Sequence, residues 1–164
     1  MIVYHGSTSE IKLPDLNHSK RFLDFGPAFY VTSFKEQAEH WARRKHSRAL
    51  SSSSPVVNVY ELDDDLSAFS VLRFGSVDEK WLDFVCDCRD GKDVCSSYDA
   101  IIGRVADDDV FRTIQSYRQG DISKARAIEL LRFARPNDQL ALRTERLIAE
   151  NLRFVDSYLI GSEA

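Results

Sequence analysis

A segment that joins a turn, a strand and a helix constrains the fold of this chain more than any other. Gly26 and Pro27 mark a turn. Residues 28–32 are rich in aromatic and β-branched side chains, which predicts a strand. Ser33 is followed three positions later by Glu36, the pattern of a capping box at the start of a helix. The segment therefore predicts a strand that leads directly into a helix.

The predicted helix has one apolar side. Its apolar residues recur at i, i+4, i+7 and i+8, and they are Phe34, Ala38, Trp41 and Ala42. This spacing places Trp41 on the inner face of the helix, close to the strand that carries Tyr30. Two aromatic rings that face each other across a gap form a slot for a third flat ring, because aromatic systems favour offset stacking. Ordinary core packing explains the same residues, so the spacing alone leaves both interpretations open.

The beginning of the chain adds a second motif, a short strand that ends in His5, Gly6 and Ser7. Taken with the strand around Tyr30 and with Trp41, this order resembles the NAD-binding half of ADP-ribosyltransferases, on the poly-ADP-ribose-polymerase and diphtheria-toxin side of that superfamily. There a His-Gly pair lies at a strand end, and a Gly-x-Tyr type strand is followed by another aromatic residue eleven positions beyond its Tyr. Tyr30 and Trp41 have that separation.

The sequence also resembles, over nearly its whole length, a family of small bacterial proteins of unknown function that are usually encoded beside a short antitoxin-like protein. The segments that carry this resemblance are residues 81–85, 98–108 and 138–140. The superfamily resemblance implies an ADP-ribosyltransferase-like fold, a split pair of mostly antiparallel sheets with flanking helices. Strands and helices alternate without a regular β-α-β repeat, which also favours an α+β fold. The sequence has no Gly-x-Gly-x-x-Gly and no Walker loop, so any NAD binds without a Rossmann crossover.

Length and composition favour a single domain over residues 1–164, long enough to bury a core. The hydrophobic fraction of 43% and the charged fraction of 29% are typical of globular proteins, and we expect no membrane association. No secretory signal is visible, and the three cysteines form an odd set, so a cytoplasmic protein with reduced thiols is expected. A net charge of −4 argues against nonspecific nucleic-acid binding as the main activity.

Neither cysteine nor aspartate clusters have the spacing of a metal site. Cys86 and Cys88 are too close together and lack neighbouring ligands for structural zinc. Residues 63–65 are three aspartates without the spacing of a calcium loop. The sequence therefore predicts no metal.

The resemblance implies that NAD is the co-substrate and assigns roles to the motif residues. His5 would bind the adenosine-side ribose, and the backbone of Gly6 would hold the nicotinamide carboxamide. Tyr30 and Trp41 would stack on the nicotinamide ring. The remaining cofactor-binding residues implied by the resemblance are Ser7, Phe25 and Gly26.

The third catalytic position falls at Asp138 or Gln139, where polymerases carry a catalytic Glu just before a strand. The closer family tends to present Gln here, so Gln139 is the favoured residue. Because neighbouring side chains of an extended segment point to opposite sides, only one of the two can face the cleft. The missing Glu argues for transfer of a single ADP-ribose rather than elongation of a polymer.

The resemblance thus implies a mono-ADP-ribosyltransferase, the toxin of a bacterial toxin–antitoxin pair, with a small antitoxin partner and a protein, RNA or DNA acceptor. Two alternatives remain open: a non-catalytic module of the same fold that binds NAD or a partner, and an NAD glycohydrolase that uses water as acceptor. A basic run at the end of the first helix, Arg43, Arg44, Lys45 and Arg48, is either a solvated helix end or a contact to a phosphate.

Overall fold

The computed structural model describes residues 1–17, 23–49, 53–104, 108–132 and 137–161. In chain order its elements are β1 (Ile2–Ser7), β2 (Phe29–Val31), α1 (Lys35–Arg48), β3 (Val56–Leu62), β4 (Val71–Arg73), α2 (Glu79–Arg89), β5 (Ala100–Gly103), α3 (Asp108–Gln119), α4 (Lys124–Arg132), β6 (Gln139–Leu142), α5 (Glu145–Asn151) and β7 (Leu152–Leu159). Within the described ranges, no helix is long and apolar enough to cross a membrane.

The strands form two sheets. The first has the order β1-β3-β7 and is antiparallel throughout. The second has the order β2-β6-β5-β4 and is antiparallel except for the parallel pair of β4 and β5. The expectation of an α+β fold with two mostly antiparallel sheets is confirmed.

The second sheet has an apolar layer on each of its faces, which explains why all four residues of β6 are buried. Successive side chains of a strand point to opposite faces. Leu140 and Leu142 face the first sheet, where they pack with residues such as Val3, Tyr60 and Leu62. Ala141 faces the other way, towards α2, α3 and α4, and packs with residues such as Trp81, Leu82, Ile114 and Leu131. The second sheet is therefore the middle layer of the protein.

The capping box predicted at the start of α1 is wrong. Phe34 is the N-cap residue, its side chain makes no capping bond, and α1 begins at Lys35. The Ser33 hydroxyl donates to the carboxylate of Asp138, an acceptor that carries a full charge and competes better than a helix end. The Thr32 hydroxyl oxygen accepts from the Phe34 N–H instead, at 3.1 Å.

The two sheets are joined at one backbone bridge. Tyr4 in β1 and Thr32 after β2 exchange two hydrogen bonds, of 2.8 Å from Tyr4 N–H and 2.9 Å from Thr32 N–H. Helix α1 follows at once and lies across β1, where Ala38 and Ala42 are fully buried. The predicted strand–helix segment thus fastens the second sheet to the first.

Gly6 permits the close approach of α1 to β1. A Cβ atom at Gly6 would lie 2.1 Å from the carbonyl oxygen of Ala38 and 2.7 Å from the backbone nitrogen of Ala42. Both distances are far inside van der Waals contact, and both atoms belong to the backbone of a helix that cannot move independently. Any side chain at position 6 must therefore push α1 away from the sheet.

We expect Gly6→Ala to lower the free energy of unfolding by roughly 3 kcal/mol, the upper part of the range for overpacking in a core. Urea unfolding followed by circular dichroism measures this change. Gly75→Ala is the matched control, because a Cβ at Gly75 meets no atom within 4 Å. Equal stability of the two variants would show that α1 does not pack directly on Gly6.

Candidate functional site

Among the residues that the structure describes, backbone pairing between β1 and the segment around β2 is limited to the Tyr4–Thr32 bridge, which lies beside the N-terminal motif and the strand that carries Tyr30. If the pairing of Tyr4 with Thr32 continued, Gly6 would pair with Tyr30, two residues further along each strand. It does not continue, and the side chain of His5 reaches across to the Tyr30 carbonyl instead. We call this unpaired stretch, bounded by His5, Gly6 and Tyr30, the split.

Gly6 presents its backbone groups to the split. In an antiparallel strand the backbone groups of alternate residues point to the same edge. Because Tyr4 pairs with Thr32, Gly6 N–H and C=O also point away from β3. The carbonyl accepts from the Lys45 ammonium at 2.6 Å. No described residue accepts from the Gly6 N–H, so this edge offers a donor beside an acceptor.

His5 is held as a neutral ring with a defined tautomer. Its Nδ1 lies 2.6 Å from the Tyr30 carbonyl oxygen, which can only accept, so Nδ1 carries the proton. Its Nε2 lies 3.3 Å from Lys45 Nζ, which can only donate, so Nε2 presents its lone pair. The ring also stacks on Phe29 with centroids 4.5 Å apart. These contacts fix both the position and the hydrogen-bonding roles of the imidazole.

The surroundings of His5 strongly favour the neutral form. Burial of the ring is the largest cause and the Lys45 ammonium the second, and together they lower the pKa of His5 from 6.5 to about 3. The hydrogen bond to the Tyr30 carbonyl raises the pKa but is outweighed. At neutral pH, His5 is thus a hydrogen-bond acceptor at Nε2 and not a proton donor there.

The Tyr30 side chain is anchored to the turn that precedes its strand. Its hydroxyl donates to the Gly26 carbonyl at 2.6 Å and accepts from the Phe25 N–H at 3.1 Å. Gly26 has φ +70°, a conformation that favours glycine. Burial, followed by the charge of Asp24, raises the pKa of Tyr30 well above its ordinary value. The Tyr30 side chain is therefore held in one position, and its hydroxyl stays protonated at neutral pH.

Gln139 lies on the same face of the second sheet as Tyr30, because Tyr30 pairs with Ala141, two residues away on β6. Only 4% of Gln139 is exposed. Its Nε2 donates to Asp24 Oδ2 at 3.1 Å and to the Arg104 carbonyl at 3.3 Å. Both partners are acceptors only, so they fix the amide orientation and direct Oε1 away from Asp24 and from the Arg104 carbonyl.

Asp24 is the centre of this buried network. Its carboxylate is 8% exposed and accepts from Arg89 at both Nε and the terminal guanidinium, with 2.7 Å to Nε. This charge pairing allows a carboxylate to be buried beside Gln139. Asp24 and Arg89 were not among the sequence-predicted site residues. No sequence signal links them, because 65 positions separate the two.

Asp138 points to the opposite side and fixes the corner between β2 and α1. Its carboxylate accepts from Thr32 Oγ1 at 2.7 Å, from Ser33 N–H at 2.9 Å and from the Ser33 hydroxyl. Its carbonyl accepts from Gln37 Nε2 at 2.6 Å. This pattern gives Asp138 a capping role, whereas Gln139 is directed into the protein beside Tyr30.

The other sequence-predicted site residues are buried or half-buried in the structure. Phe25 is fully buried and packs against Phe74 and Phe84. Ser7, at the end of β1, is 7% exposed. Trp41 is half-buried in α1, and its ring makes no contact with that of Tyr30 in the described part of the chain. The aromatic slot and the NAD contacts of these residues stay predictions.

A comparison with family models identifies the group to which this sequence is assigned. Residues 1–154 match the model described as "Protein of unknown function (DUF3990)". The chain belongs to the DUF3990 family. No curated protein matches the sequence, and no solved structure matches it either. The expected membership of a family of unknown function is thus confirmed, and the match assigns this DUF3990 protein no activity.

The low pKa of His5 predicts a specific pH dependence of stability. Below pH 6.5 the unfolded chain binds a proton at His5 that the folded protein excludes until about pH 3. The contribution of His5 to the free energy of unfolding is therefore complete above pH 6.5 and is lost as the pH falls towards 3. The free energy of unfolding changes by at most about 1.4 kcal/mol per pH unit in this range.

We expect His5→Asn, which keeps an N–H donor but does not titrate, to flatten the dependence of the unfolding free energy on pH between 6 and 4. Urea unfolding at several pH values measures it. His46→Asn is the control, because His46 is an exposed residue of the same helix as Lys45. Identical slopes for His5→Asn and the parent protein would contradict a neutral, enclosed His5.

Proposed function

We propose that this DUF3990 protein is an NAD-dependent mono-ADP-ribosyltransferase that works at the split. The observation that carries the proposal is that the His5 imidazole, the backbone edge of Gly6 and the Tyr30 carbonyl meet at one junction of the two sheets, while the Tyr30 ring and Gln139 share one face of the second sheet. Their order along the chain is that of the ADP-ribosyltransferase motifs. The fold supports the proposal only at the level of two mostly antiparallel sheets.

The backbone edge of Gly6 suits a carboxamide. It offers one donor and one acceptor side by side, and a primary amide presents the complementary acceptor and donor. Tyr30 lies next to this edge and is held by its hydroxyl at the Gly26 turn. In the proposal, Gly6 orients the carboxamide of NAD while Tyr30 and Trp41 flank the nicotinamide ring. Rigid orientation of this kind lowers the barrier by removing the entropy cost of alignment.

His5 and Gln139 would each accept a hydrogen bond from a ribose hydroxyl. His5 presents the lone pair of Nε2, since its other nitrogen is occupied by the Tyr30 carbonyl. Gln139 presents Oε1, since its nitrogen is held by Asp24 and the Arg104 carbonyl. An amide oxygen that accepts from a 2′-hydroxyl holds the sugar as the glycosidic bond lengthens. It is a weaker partner than a carboxylate for the positive charge that develops on the ribose.

The proposed reaction breaks the bond between the nicotinamide nitrogen and the ribose carbon. Nicotinamide leaves with the electron pair, and the nucleophilic atom of the acceptor donates a pair to the ribose carbon and loses its proton to solvent or to a base. The chain lacks a Glu at the third position. Either the acceptor itself would supply that base, or the transfer would be slow. We propose single transfer to a protein, RNA or DNA in the cytoplasm.

Two other functions are alternatives. A non-catalytic NAD-binding or partner-binding module is favoured by the neutral, buried Gln139 at the third motif position. An NAD glycohydrolase would break the same bond with water as the acceptor. Incubation of the purified protein with labelled NAD and a cell lysate distinguishes all three. Label in macromolecules supports transfer, free ADP-ribose alone supports hydrolysis, and neither product supports the module.

We expect Gln139→Ala to lower the rate of label transfer by about tenfold to a hundredfold while the affinity for NAD changes less, because the lost hydrogen bond strengthens in the transition state. Single-turnover rates and calorimetry measure the two quantities. Gln115→Ala, at an exposed glutamine of α3, is the control. Asp138→Ala should instead lower stability, since three donors lose their acceptor. Normal transfer by Gln139→Ala would overturn the role of Gln139.

A toxin of this kind requires a neutralising partner, and we propose a small folded antitoxin that covers the split and the proposed cleft between His5 and Gln139. Expression of the parent protein should arrest bacterial growth, and expression of His5→Ala should not, provided that the variant folds. Co-expression with the product of the neighbouring open reading frame should restore growth. Growth arrest that persists in His5→Ala, or that no neighbouring product relieves, would contradict the toxin–antitoxin assignment.

A further inference from the structure

Lys45 lies beside the split, on the last turn of α1. Its ammonium donates to the Gly6 carbonyl at 2.6 Å and to His5 Nε2 at 3.3 Å. These are two of the three acceptors that the proposed function assigns to NAD. The residue is exposed, and its ammonium is held by hydrogen bonds that a bound molecule could replace.

The two acceptors respond differently to a ligand. A carbonyl oxygen has two lone pairs, so the Gly6 carbonyl can accept from Lys45 and from a carboxamide together. The imidazole Nε2 has one lone pair, and Lys45 holds it in this structure. A ligand hydroxyl can bond to His5 only if the ammonium moves. The side chain of Lys45 is long and flexible, so it can move while α1 stays in place.

A displaced ammonium needs a new partner, and its surroundings favour an anion. The end of α1 carries Arg43, Arg44 and Arg48 beside Lys45, although the chain as a whole has a net charge of −4. Basic side chains concentrated at one end of one helix attract a negatively charged group. A ligand that brings a phosphate therefore compensates the move, and a ligand without one does not.

We propose that Lys45 is a specificity-determining residue that blocks His5 Nε2 until a phosphate-bearing ligand draws its ammonium away. The proposal rests on the proposed use of NAD. It assigns Lys45 a selective role: NAD, which carries a pyrophosphate, would be accepted, and adenosine, which has the ribose that His5 would bind but no phosphate, would be disfavoured because it leaves the ammonium on His5 Nε2.

The test compares the affinities of these two ligands for the parent protein and for Lys45→Met, by calorimetry or NMR titration. We expect Lys45→Met to weaken NAD binding by about tenfold, the cost of one charge-assisted hydrogen bond. Binding of adenosine should strengthen severalfold, because the acceptor at His5 Nε2 is open. The selective role predicts that the affinities for the two ligands change in opposite directions in Lys45→Met. Lys45→Arg should keep NAD binding near that of the parent.

Lys35→Met is the matched control, because Lys35 begins the same helix and its ammonium lies over the Tyr158 ring, 4.9 Å from the centroid. It removes the same charge and should leave the ratio of the two affinities unchanged. A shift of both ligands in one direction in Lys45→Met, or no shift, would overturn the proposal while leaving NAD use intact.

A ligand-free measurement separates this proposal from the proposed function. The NMR titration of His5 should move to higher pH in Lys45→Met, because the nearby cation is gone, and should not move in Lys35→Met. An unchanged His5 titration would show that Lys45 does not occupy Nε2 in solution, and the proposal falls. If the titration moves but the parent protein binds neither ligand, the NAD-dependent function fails and the selective role fails with it.

Discussion

The close contact between the backbone of α1 and Gly6 is the constraint on which the rest of this structure depends. It sets the height of α1 above β1, because Ala38 and Ala42 approach a strand position that has no side chain. With α1 fixed, the Tyr4–Thr32 bridge fixes the angle at which the second sheet leaves the first. The split begins where that bridge ends. A requirement of the fold and a requirement of the proposed site thus meet in one residue, and stability alone suffices to explain a glycine there.

Hydrogen bonds with unambiguous polarity define the chemistry of the split. The Tyr30 carbonyl can only accept and the Lys45 ammonium can only donate, so His5 is left with one tautomer and no tendency to ionise near pH 7. In the same way, Asp24 and the Arg104 carbonyl leave Gln139 with one amide orientation. Both side chains are neutral, and both are arranged to accept. Such a site suits hydroxyl groups of a ligand better than it suits proton transfer to a leaving group.

The network of Gln139, Asp24 and Arg89 also bears on the residue type at position 139, where the polymerases that the sequence resembles carry Glu. A carboxylate at position 139 would lie against the carboxylate of Asp24, where two like charges in a buried place repel each other. An amide avoids that repulsion and still presents an oxygen. The neutral residue is therefore compatible with its neighbours as they stand. A change to Glu would need a compensating change at Asp24.

The sequence by itself indicated most local elements and an α+β fold, because periodicity and strand-forming residues act over short distances. The two mostly antiparallel sheets were expected only from the resemblance to ADP-ribosyltransferases. It also indicated that only one of Asp138 and Gln139 could face inward, since alternation along a strand is a local rule. It misassigned the cap of α1, where a local pattern lost Ser33 to the charged Asp138, 105 positions away. Only the tertiary structure decided that Asp24, paired with Arg89, accepts from Gln139 and that Lys45 donates to Nε2 of His5. Long, flexible or charged side chains choose their partners by proximity in space, and no local spacing encodes that choice.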